Sequence, residues 1–396
     1  MRALVAIAGL TAALACGERD RPVAPPRAIA TSSASGVARE YDPYVALLLE
    51  AIRASRAGKI DDALDALVRL EGTSFDFPPD DLELGPLRDD PRYRALVVRM
   101  MAREPKTPRS ATAFTAGGGL LAEGIAFDPR SGAFFLGSIA RRKIVRIDSV
   151  ANGTVAVRDL VREGQDDLTS VLGMKFDARR NVLWAATNDE KSKPRAASVF
   201  AFDPETGALR RRVTTSGAHL FNDVAFDERG NLFVTDSEGG GVYLVPAHVD
   251  VLVPFLEPRS FVYPNGIALS DDPPRIFVAH QDGIAVIDRS TKSVRPLAHD
   301  ARVTLAGIDG LALHGRALLA VQNGLGRPRV VRVELDVAMT RAERVVVLET
   351  ENPAFHVPTT GVVARGSFFY IANSQIDREE SPRDALDDVV ILELRL

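Results

Sequence analysis

The sequence predicts a mainly β protein, a six-bladed β-propeller preceded by a small α-helical hairpin segment. One repeated sequence motif supports this prediction: an apolar strand, a turn and a second apolar strand that ends in polar residues. From residue 123 onward the motif occurs six times, at steps of 49, 50, 43, 44 and 51 residues, counted at Gly124, Gly173, Asp223, Gly266, Gly310 and Gly361. This period is typical of a propeller blade, whereas a β-sandwich does not explain a sixfold repeat.

A third predicted strand follows every copy of the motif, and a fourth predicted strand follows each of the first five copies. The sixth unit stops at its third strand, which ends one residue before Leu396, while a β-like stretch from Ala111 to Ala116 precedes the first unit unassigned. Closed β architectures leave no free strand edge. We therefore predict that residues 111–116 complete the last blade and close the ring, so that the propeller occupies residues 107–396.

The composition excludes several classes of protein. The chain has 396 residues, 46% hydrophobic and 26% charged, with a formal net charge of −4. These values fit a globular chain and exclude wholesale disorder, and the lack of a basic excess argues against a nucleic-acid partner. One cysteine cannot form an intrachain disulfide, and six scattered histidines offer no zinc-site spacing.

The first 16 residues are predicted to be a signal peptide, because Arg2 precedes a 13-residue run, from Ala3 to Ala15, that is too short to span a bilayer. The run ends at Cys16 in a sequence that resembles a bacterial lipoprotein box, with Ala13 where leucine is usual. We expect an exported protein that a lipid on Cys16 anchors to a membrane of the bacterial envelope. The alternative is a secreted or periplasmic protein with an incidental cysteine. Residues 17–40, rich in Pro, Ser, Ala and charge, are predicted to be a flexible linker.

Residues 41–106 show helical periodicity. Val45, Leu48, Leu49 and Ile52 follow the i, i+3, i+4, i+7 pattern, which repeats from Ile60 to Leu67 after a turn, and an acidic residue before Pro91 marks a third helix start. The segment resembles the end of a tetratricopeptide-type array, with about one repeat present. Because one helix pair cannot form a peptide groove, we favour a packing or docking module, and a candidate protein contact, over an independent peptide receptor.

The first residues of the six copies of the motif are expected to point toward one axis, because the innermost strands of a propeller line its channel. Four of the six carry oxygen ligands: Glu123, Asn222, Asn265 and Asp309. Carboxylate and amide oxygens are the ligands that Ca²⁺ prefers, although another divalent ion is an alternative. The competing interpretation is that polar residues begin these strands because the channel mouth is wet.

Candidate substrate residues surround the same mouth, which predicts a small-molecule substrate. The connections that lead into the inner strands carry His219, Tyr263 and His356, and the second strands end near Asp236, His280 and Asn323. The two loop histidines are candidate proton shuttles or solvated hydrogen-bonding groups. Asp236 could contact substrate or cap its turn.

From Ala111 to Leu396 the chain resembles the senescence marker protein/gluconolactonase (regucalcin-like) family of calcium-bearing six-bladed propellers. The most specific motifs are Glu123-Gly124, Tyr263-Pro264-Asn265-Gly266 and Asp309-Gly310. The resemblance implies that Glu123, Asn265 and Asp309 hold the metal and that Asp309 is the catalytic base or nucleophile.

Two further positions of the resemblance bear on mechanism. Asn222 matches a residue that is a ligand in the related diisopropyl fluorophosphatases and lies near substrate in the lactonases, so both roles stay open. Leu172 stands where the related paraoxonases carry a catalytic histidine. The paraoxonase mechanism is therefore not carried over.

The sequence leaves two functions open. The first is a calcium-dependent hydrolase of lactones or related esters, in which the metal polarises the carbonyl and Asp309 acts as base or nucleophile. The second is a propeller without enzymatic activity, whose calcium is structural and whose face binds a sugar or a protein. The two functions differ in whether substrate can reach the cation and Asp309.

Overall fold

The computed structural model describes residues 43–75, 77, 82–103, 107–149, 154–215, 217, 219–324 and 326–396. The predicted signal peptide with Cys16, the whole predicted linker and residues 41–42 and 104–106 of the predicted helical segment lie outside these residues, so export, lipid attachment and the linker stay predictions. None of the helices within the described part of the chain has the length and apolar character needed to cross a membrane.

The predicted helical segment and propeller are both present. The helices are α1 (Pro43–Arg56), α2 (Ile60–Val68) and α3 (Pro91–Arg103), with short 3-10 helices at Leu82–Leu87, Gln165–Asp167, Ile376–Arg378 and Arg383–Ala385. In the part of the chain that the structure describes, the strands form six four-stranded antiparallel sheets, which confirms the six blades.

The strands follow one another along each blade, as the repeat predicts. The first three blades contain β2 (Ala122–Phe127), β3 (Phe134–Ser138), β4 (Lys143–Ser149) and β5 (Val155–Val161); β6 (Ser170–Asp177), β7 (Val182–Asp189), β8 (Ala196–Phe202) and β9 (Leu209–Thr215); and β10 (Phe221–Phe226), β11 (Leu232–Asp236), β12 (Gly241–Val245) and β13 (Val253–Leu256). The last three contain β14 (Ile267–Ser270), β15 (Arg275–His280), β16 (Gly283–Asp288) and β17 (Val294–Pro296); β18 (Ile308–His314), β19 (Ala317–Gln322), β20 (Arg329–Leu335) and β21 (Ala342–Thr350); and β22 (Gly361–Ala364), β23 (Ser367–Ile371), β24 (Val389–Arg395) and β1 (Ala111–Ala116).

The hydrophobic core lies between neighbouring blades. Every residue of β3 and of β19 is buried, whereas the outer strand β17 is exposed throughout. Phe135 of the first blade, for example, packs into one buried cluster with Phe176 and Phe200 of the second. The near-continuous apolar runs of the second strands therefore serve two interfaces at once, because each sheet has a blade on both sides.

The ring closes through β1, as predicted. This strand pairs antiparallel with β24, from Ala111 opposite Glu393 to Ala116 opposite Val389. The buried carboxylate of Glu349 accepts the backbone N–H groups of Arg109 at 2.9 Å and Ser110 at 3.0 Å, and the Tyr370 hydroxyl at 2.6 Å. These bonds fasten the incoming chain to the fifth and sixth blades. They also outweigh the effect of burial and hold the pKa of Glu349 below its ordinary value.

The recurring glycine of the repeat allows the inner strands to approach closely. A Cβ at Gly124 would lie 2.0 Å from the carbonyl oxygen of Leu172, and one at Gly266 would lie 2.4 Å from that of Asp309. The Gly266 N–H donates to the same Asp309 carbonyl at 2.9 Å. Each glycine therefore packs against the residue that opens the next blade, which narrows the channel and fixes the height of the opening residues.

The helical segment is docked on the propeller beside the fifth blade. Its apolar core includes Ala306, a propeller residue. Ser74 donates its N–H to the carbonyl of Arg302 at 2.7 Å, accepts the Thr304 N–H on its hydroxyl at 2.8 Å and accepts a bond from Arg329 at 3.0 Å. Residues 302–306 lead directly into β18, the strand of Asp309, so the helices are attached next to the candidate site.

Candidate functional site

Four of the six residues that open the repeats lie at β-bulges of the inner strands. The pairing register of the first two strands of a blade shifts at Glu123, Leu172, Asn222 and Asp309. A bulge places an extra residue on one strand and re-aims its side chain. These side chains therefore leave the regular alternation of the sheet and turn toward the channel.

The structure brings the four predicted metal ligands together. Glu123, Asn222, Asn265 and Asp309 line one cavity of about 290 Å³ at the channel mouth. They belong to the first, third, fourth and fifth blades, so only the ring geometry makes them neighbours. Their role as metal ligands stays a prediction.

The two carboxylates of this set lie deep in the protein and keep part of their surface accessible from the cavity. Burial raises the pKa of Glu123 well above its ordinary value, and the charge of Asp309 adds to the rise. Burial also raises the pKa of Asp309, against hydrogen bonds from Asn323 and Asn265 that lower it. Two carboxylates in this low-dielectric site would therefore repel each other, and a bound cation would offset the repulsion.

Hydrogen bonds orient the amide groups around these carboxylates. Asn323 donates its side-chain nitrogen to Asp309 Oδ2 at 2.7 Å and to the Pro358 carbonyl at 2.7 Å. Asn222 donates its side-chain nitrogen to Ser237 Oγ at 3.1 Å, and Ser237 donates in turn to the Pro264 carbonyl at 2.6 Å. These bonds use the nitrogen of Asn222, so its amide oxygen remains an acceptor that can serve as a ligand.

The donor set fits a hard divalent cation. It offers two carboxylates and two amides. Within the described residues, no group of three or more His, Cys, Asp or Glu side chains is arranged to hold a metal, so half of this donor set consists of neutral amides. Calcium accepts mixed carboxylate, amide and water oxygens in flexible geometry, whereas softer metals require imidazole or thiolate. The residues present therefore fit the calcium that the sequence predicts.

Three of the predicted substrate residues line the cavity: Tyr263, His280 and Asn323. Tyr263 holds a left-handed backbone, with φ of 49°, and burial raises the pKa of its hydroxyl to about 12. His280 stacks on Phe261 with ring centroids 5.2 Å apart, and burial lowers its pKa to about 4. Both side chains are therefore neutral near pH 7.

The other three predicted substrate residues, among those that the structure describes, lie outside the lining of this cavity. His219 Nδ1 is 2.6 Å from Oδ2 of the buried Asp236, which also accepts the backbone N–H groups of Leu220 and Gly239 at 2.9 and 3.0 Å. His356 Nε2 lies 3.1 Å from Asp377 Oδ2. Asp236 thus caps its turn, the alternative that the sequence left open for it, whereas His219 and His356 are each paired with an aspartate and are largely shielded from solvent.

Sequence reasoning missed several residues of the lining: Glu190, Arg195, Gln281, Glu379 and the apolar face of α1. Burial and the neighbouring Glu190 raise the pKa of Glu379, and Gln281 Oε1 is buried with no hydrogen-bond partner. Glu190 and Gln281 lie within two residues of the second-strand ends at Asn188 and His280. This nearness could have marked Glu190 and Gln281 as candidate lining residues, but the two residues do not occupy equivalent positions of the repeat.

Comparison with known proteins agrees with this architecture. No family model matches the chain, and no curated protein matches its sequence. Among solved structures, a Thermus thermophilus protein assigned as an oxidoreductase (glucose dehydrogenase) is similar with a TM-score of 0.50 and 15% identity, over 72% of this chain and 99% of the other. The likeness is one of fold.

The similar structures also include enzymes of sugar and sugar-lactone chemistry. The PQQ-bound aldose sugar dehydrogenase of Streptomyces coelicolor has 16% identity and a TM-score of 0.48, and the gluconolactonase XC5397 of Xanthomonas campestris has 14% identity and a TM-score of 0.48. Each likeness covers 74% of this chain and 99% of the other.

Proposed function

We propose that the protein is a calcium-dependent hydrolase of lactones or related esters. One observation carries the proposal: Asp309 lies among the predicted ligands and also lines a cavity of about 290 Å³, which offers room for a small molecule. A structural cation needs ligands that enclose it, whereas a catalytic cation needs a ligand position that substrate can reach. The accessible surface of Asp309 favours the catalytic role.

Glu123, Asn222, Asn265 and Asp309 are the residues that would hold calcium. When bound, the ion would supply a Lewis acid for the ester carbonyl oxygen. The amides contribute neutral oxygens, so that two carboxylates balance the charge of one divalent cation. Ser237 and Asn323, through the hydrogen bonds described above, keep two of these groups in fixed orientation.

In the proposed reaction Asp309 acts as general base. A carboxylate oxygen of Asp309 takes a proton from water while the water oxygen adds to the carbonyl carbon. The ring C–O bond then breaks, the departing alkoxide takes the proton back, and a hydroxy acid leaves. Direct attack by Asp309 on the carbonyl carbon, followed by hydrolysis of the resulting anhydride, gives the same product. His280 has a pKa of about 4, so its imidazole is neutral near pH 7 and does not serve as the general acid of this reaction.

A panel of lactones, aryl esters and a fluorophosphate tests this function, each assayed with calcium and with excess chelator. The proposal expects turnover of a lactone or an ester that chelator abolishes and that Asp309→Asn lowers by at least about a hundredfold. Glu343→Gln, an exposed acidic position, is the matched control and retains activity. Calcium-dependent thermal stabilisation without turnover of any compound would contradict the hydrolase and favour a structural ion in a binding protein.

We propose in addition that the protein is exported and anchored by lipid at Cys16. The support is the charge, length and small-residue pattern of residues 1–16. Expression of the chain with Cys16→Ser in a bacterial host is expected to move the protein from the membrane fraction to the soluble fraction. Retention of the variant in the membrane fraction would contradict the anchor.

A further inference from the structure

We infer that α1 forms one wall of the substrate site and that the substrate is a neutral lactone or ester with an apolar substituent. This inference rests on the proposed function, because it names the substrate class of the same cavity. It assigns to the helical segment a role in specificity.

The apolar face of α1 lines the same cavity as the two carboxylates. Val45, Leu48, Leu49 and Ile52 lie along it together with Glu123 and Asp309. Leu47, on the same helix, packs into the helical core and is not part of this lining within the described residues. A ligand that fills this cavity therefore contacts both Asp309 and the side chains of α1.

The propeller continues the apolar wall with side chains from several blades. They are Ile139, Leu172, Leu220, Ile308, Val357 and Ile376. Hydroxyl groups on the part of a ligand that faces this apolar wall would lie against aliphatic side chains without hydrogen-bond partners, which is unfavourable. An alkyl or aryl group would instead leave water for a matching apolar surface.

The charges of the cavity disfavour an anionic ligand. Among the described lining residues, four carry carboxyl groups, Glu123, Glu190, Asp309 and Glu379, and Arg195 carries a positive charge. With Arg195 and a bound divalent cation counted against the four carboxylates, the cavity has no net positive charge. A phosphate or carboxylate on the substrate would therefore meet no compensating field.

The position of α1 over the cavity is fixed by the fold. The Tyr44 hydroxyl at the start of α1 donates to the carbonyl of Ala301. Ser74, after α2, is hydrogen-bonded to Arg302 and Thr304. Both contacts lie on the segment that leads into β18, so the helical wall and Asp309 are held by the same piece of chain.

Steady-state kinetics on a series of δ-lactones tests the inference, with full-length protein and saturating calcium. The series carries hydrogen, methyl, propyl or pentyl on the ring carbon next to oxygen, and glucono-δ-lactone is the polar comparison. We expect KM to fall by about fourfold for each added methylene until the cavity is filled, as a buried methylene would give. The kcat is expected to change little along the series, because these contacts are the same in ground and transition states.

Two leucines of α1 provide a matched pair of variants. Leu49→Ala is expected to raise KM for the pentyl lactone by about tenfold and to leave KM for the unsubstituted ring unchanged. Leu47→Ala removes the same atoms from the same helix outside the cavity and is expected to leave the dependence on chain length intact. Leu49→Trp, which fills the cavity, is expected to shift the preference to shorter substituents.

The outcomes separate this inference from the proposed function. If short or sugar lactones are hydrolysed without a gain from alkyl groups, or if both alanine variants behave alike, the inference is overturned while the hydrolase stands. If neither a lactone nor an ester is hydrolysed, the proposed function fails, and calorimetric titration with the same alkyl lactones as ligands decides the inference. Binding that tightens with chain length and weakens in Leu49→Ala supports the apolar wall, and binding without that dependence, or no binding, overturns it.

Discussion

The side-chain nitrogen of Asn323 donates a hydrogen bond to Asp309 Oδ2 at 2.7 Å. The same nitrogen donates to the Pro358 carbonyl at 2.7 Å, so the amide is anchored to the backbone that leads into the sixth blade. Asn323 therefore fixes the rotation of the Asp309 carboxylate relative to the channel. The sequence predicted Asn323 as a substrate contact, and the structure gives it a further positioning role.

Asn323→Ala separates these two roles. Loss of the hydrogen bond frees the Asp309 carboxylate to rotate away from its productive orientation, so kcat is expected to fall by about 10- to 100-fold and calcium affinity by a similar factor. KM for an alkyl lactone is expected to change by less than about threefold. A variant with normal kcat and calcium affinity but a raised KM would contradict the positioning role and leave only substrate contact.

Glu123→Gln is expected to change stability in opposite directions with and without calcium. In chelator the raised pKa of Glu123 means that its folded form binds a proton more tightly than its unfolded form. The stabilising contribution of that proton is present below about pH 4 and is lost as pH rises through the folded pKa. The variant carries no charge at this position, so at pH 8 without metal it is expected to be more stable than wild type in chemical denaturation.

With calcium added, the order reverses. Wild type is expected to gain thermal stability on titration with calcium, whereas Glu123→Gln requires at least tenfold more calcium for the same gain, because it lacks one carboxylate ligand. Glu343→Gln, at an exposed position, is expected to follow wild type in both conditions. Equal calcium dependence of wild type and Glu123→Gln would contradict the assignment of Glu123 as a ligand.

Gly266→Ala tests the close approach of inner strands. The new Cβ would lie 2.4 Å from the carbonyl oxygen of Asp309 and 2.7 Å from the backbone nitrogen of Leu311. Since backbone must move, the free energy of unfolding is expected to fall by about 2–4 kcal/mol, with weaker calcium binding at the displaced Asp309.

Gly117→Ala is the control for that substitution, because nothing lies within 4 Å of a Cβ at Gly117. Its free energy of unfolding is expected to remain within about 0.5 kcal/mol of the wild-type value in chemical denaturation. A Gly266→Ala protein as stable as Gly117→Ala would contradict the packing of the fourth blade against the fifth.

His280 is expected to make the protein less stable in mild acid. Its pKa is about 4 in the folded protein, because of burial, and 6.5 in its ordinary state, so the unfolded chain binds the proton more tightly. Stability is therefore full above about pH 6.5 and falls as pH drops toward 4, by up to about 2–3 kcal/mol. His280→Gln is expected to flatten this part of the stability curve, whereas substitution of the exposed His314 is not. Identical curves for the two variants would contradict the burial of a neutral imidazole at residue 280.

The blades and the positions of the candidate ligands could be predicted because both depend on register. The repeat places Glu123, Asn222 and Asp309 at equivalent positions, and equivalent positions meet at the axis of a ring. The unpaired sixth blade and the free stretch from Ala111 to Ala116 likewise predicted the closure that β1 makes with β24.

The remaining parts of the site depend on contacts that no periodicity contains. The spacing of Val45, Leu48, Leu49 and Ile52 predicts that this face of α1 is covered, but it does not say that a cavity with Glu123 lies opposite. The bulges at the inner strands are local departures from alternation, so a regular strand pattern conceals them. Glu190 and Glu379 reach the cavity from loops whose paths only the folded chain defines.

A crystal structure of the protein grown with calcium chloride tests the central claim most directly, with anomalous scattering to identify the ion. We expect a calcium peak between the first, third, fourth and fifth blades, about 2.3–2.6 Å from side-chain oxygens of Glu123, Asn222, Asn265 and Asp309, with at least one remaining ligand position facing the cavity. A channel without calcium at saturating concentration, or a calcium ion enclosed with no position open to the cavity, would contradict a calcium-dependent hydrolase.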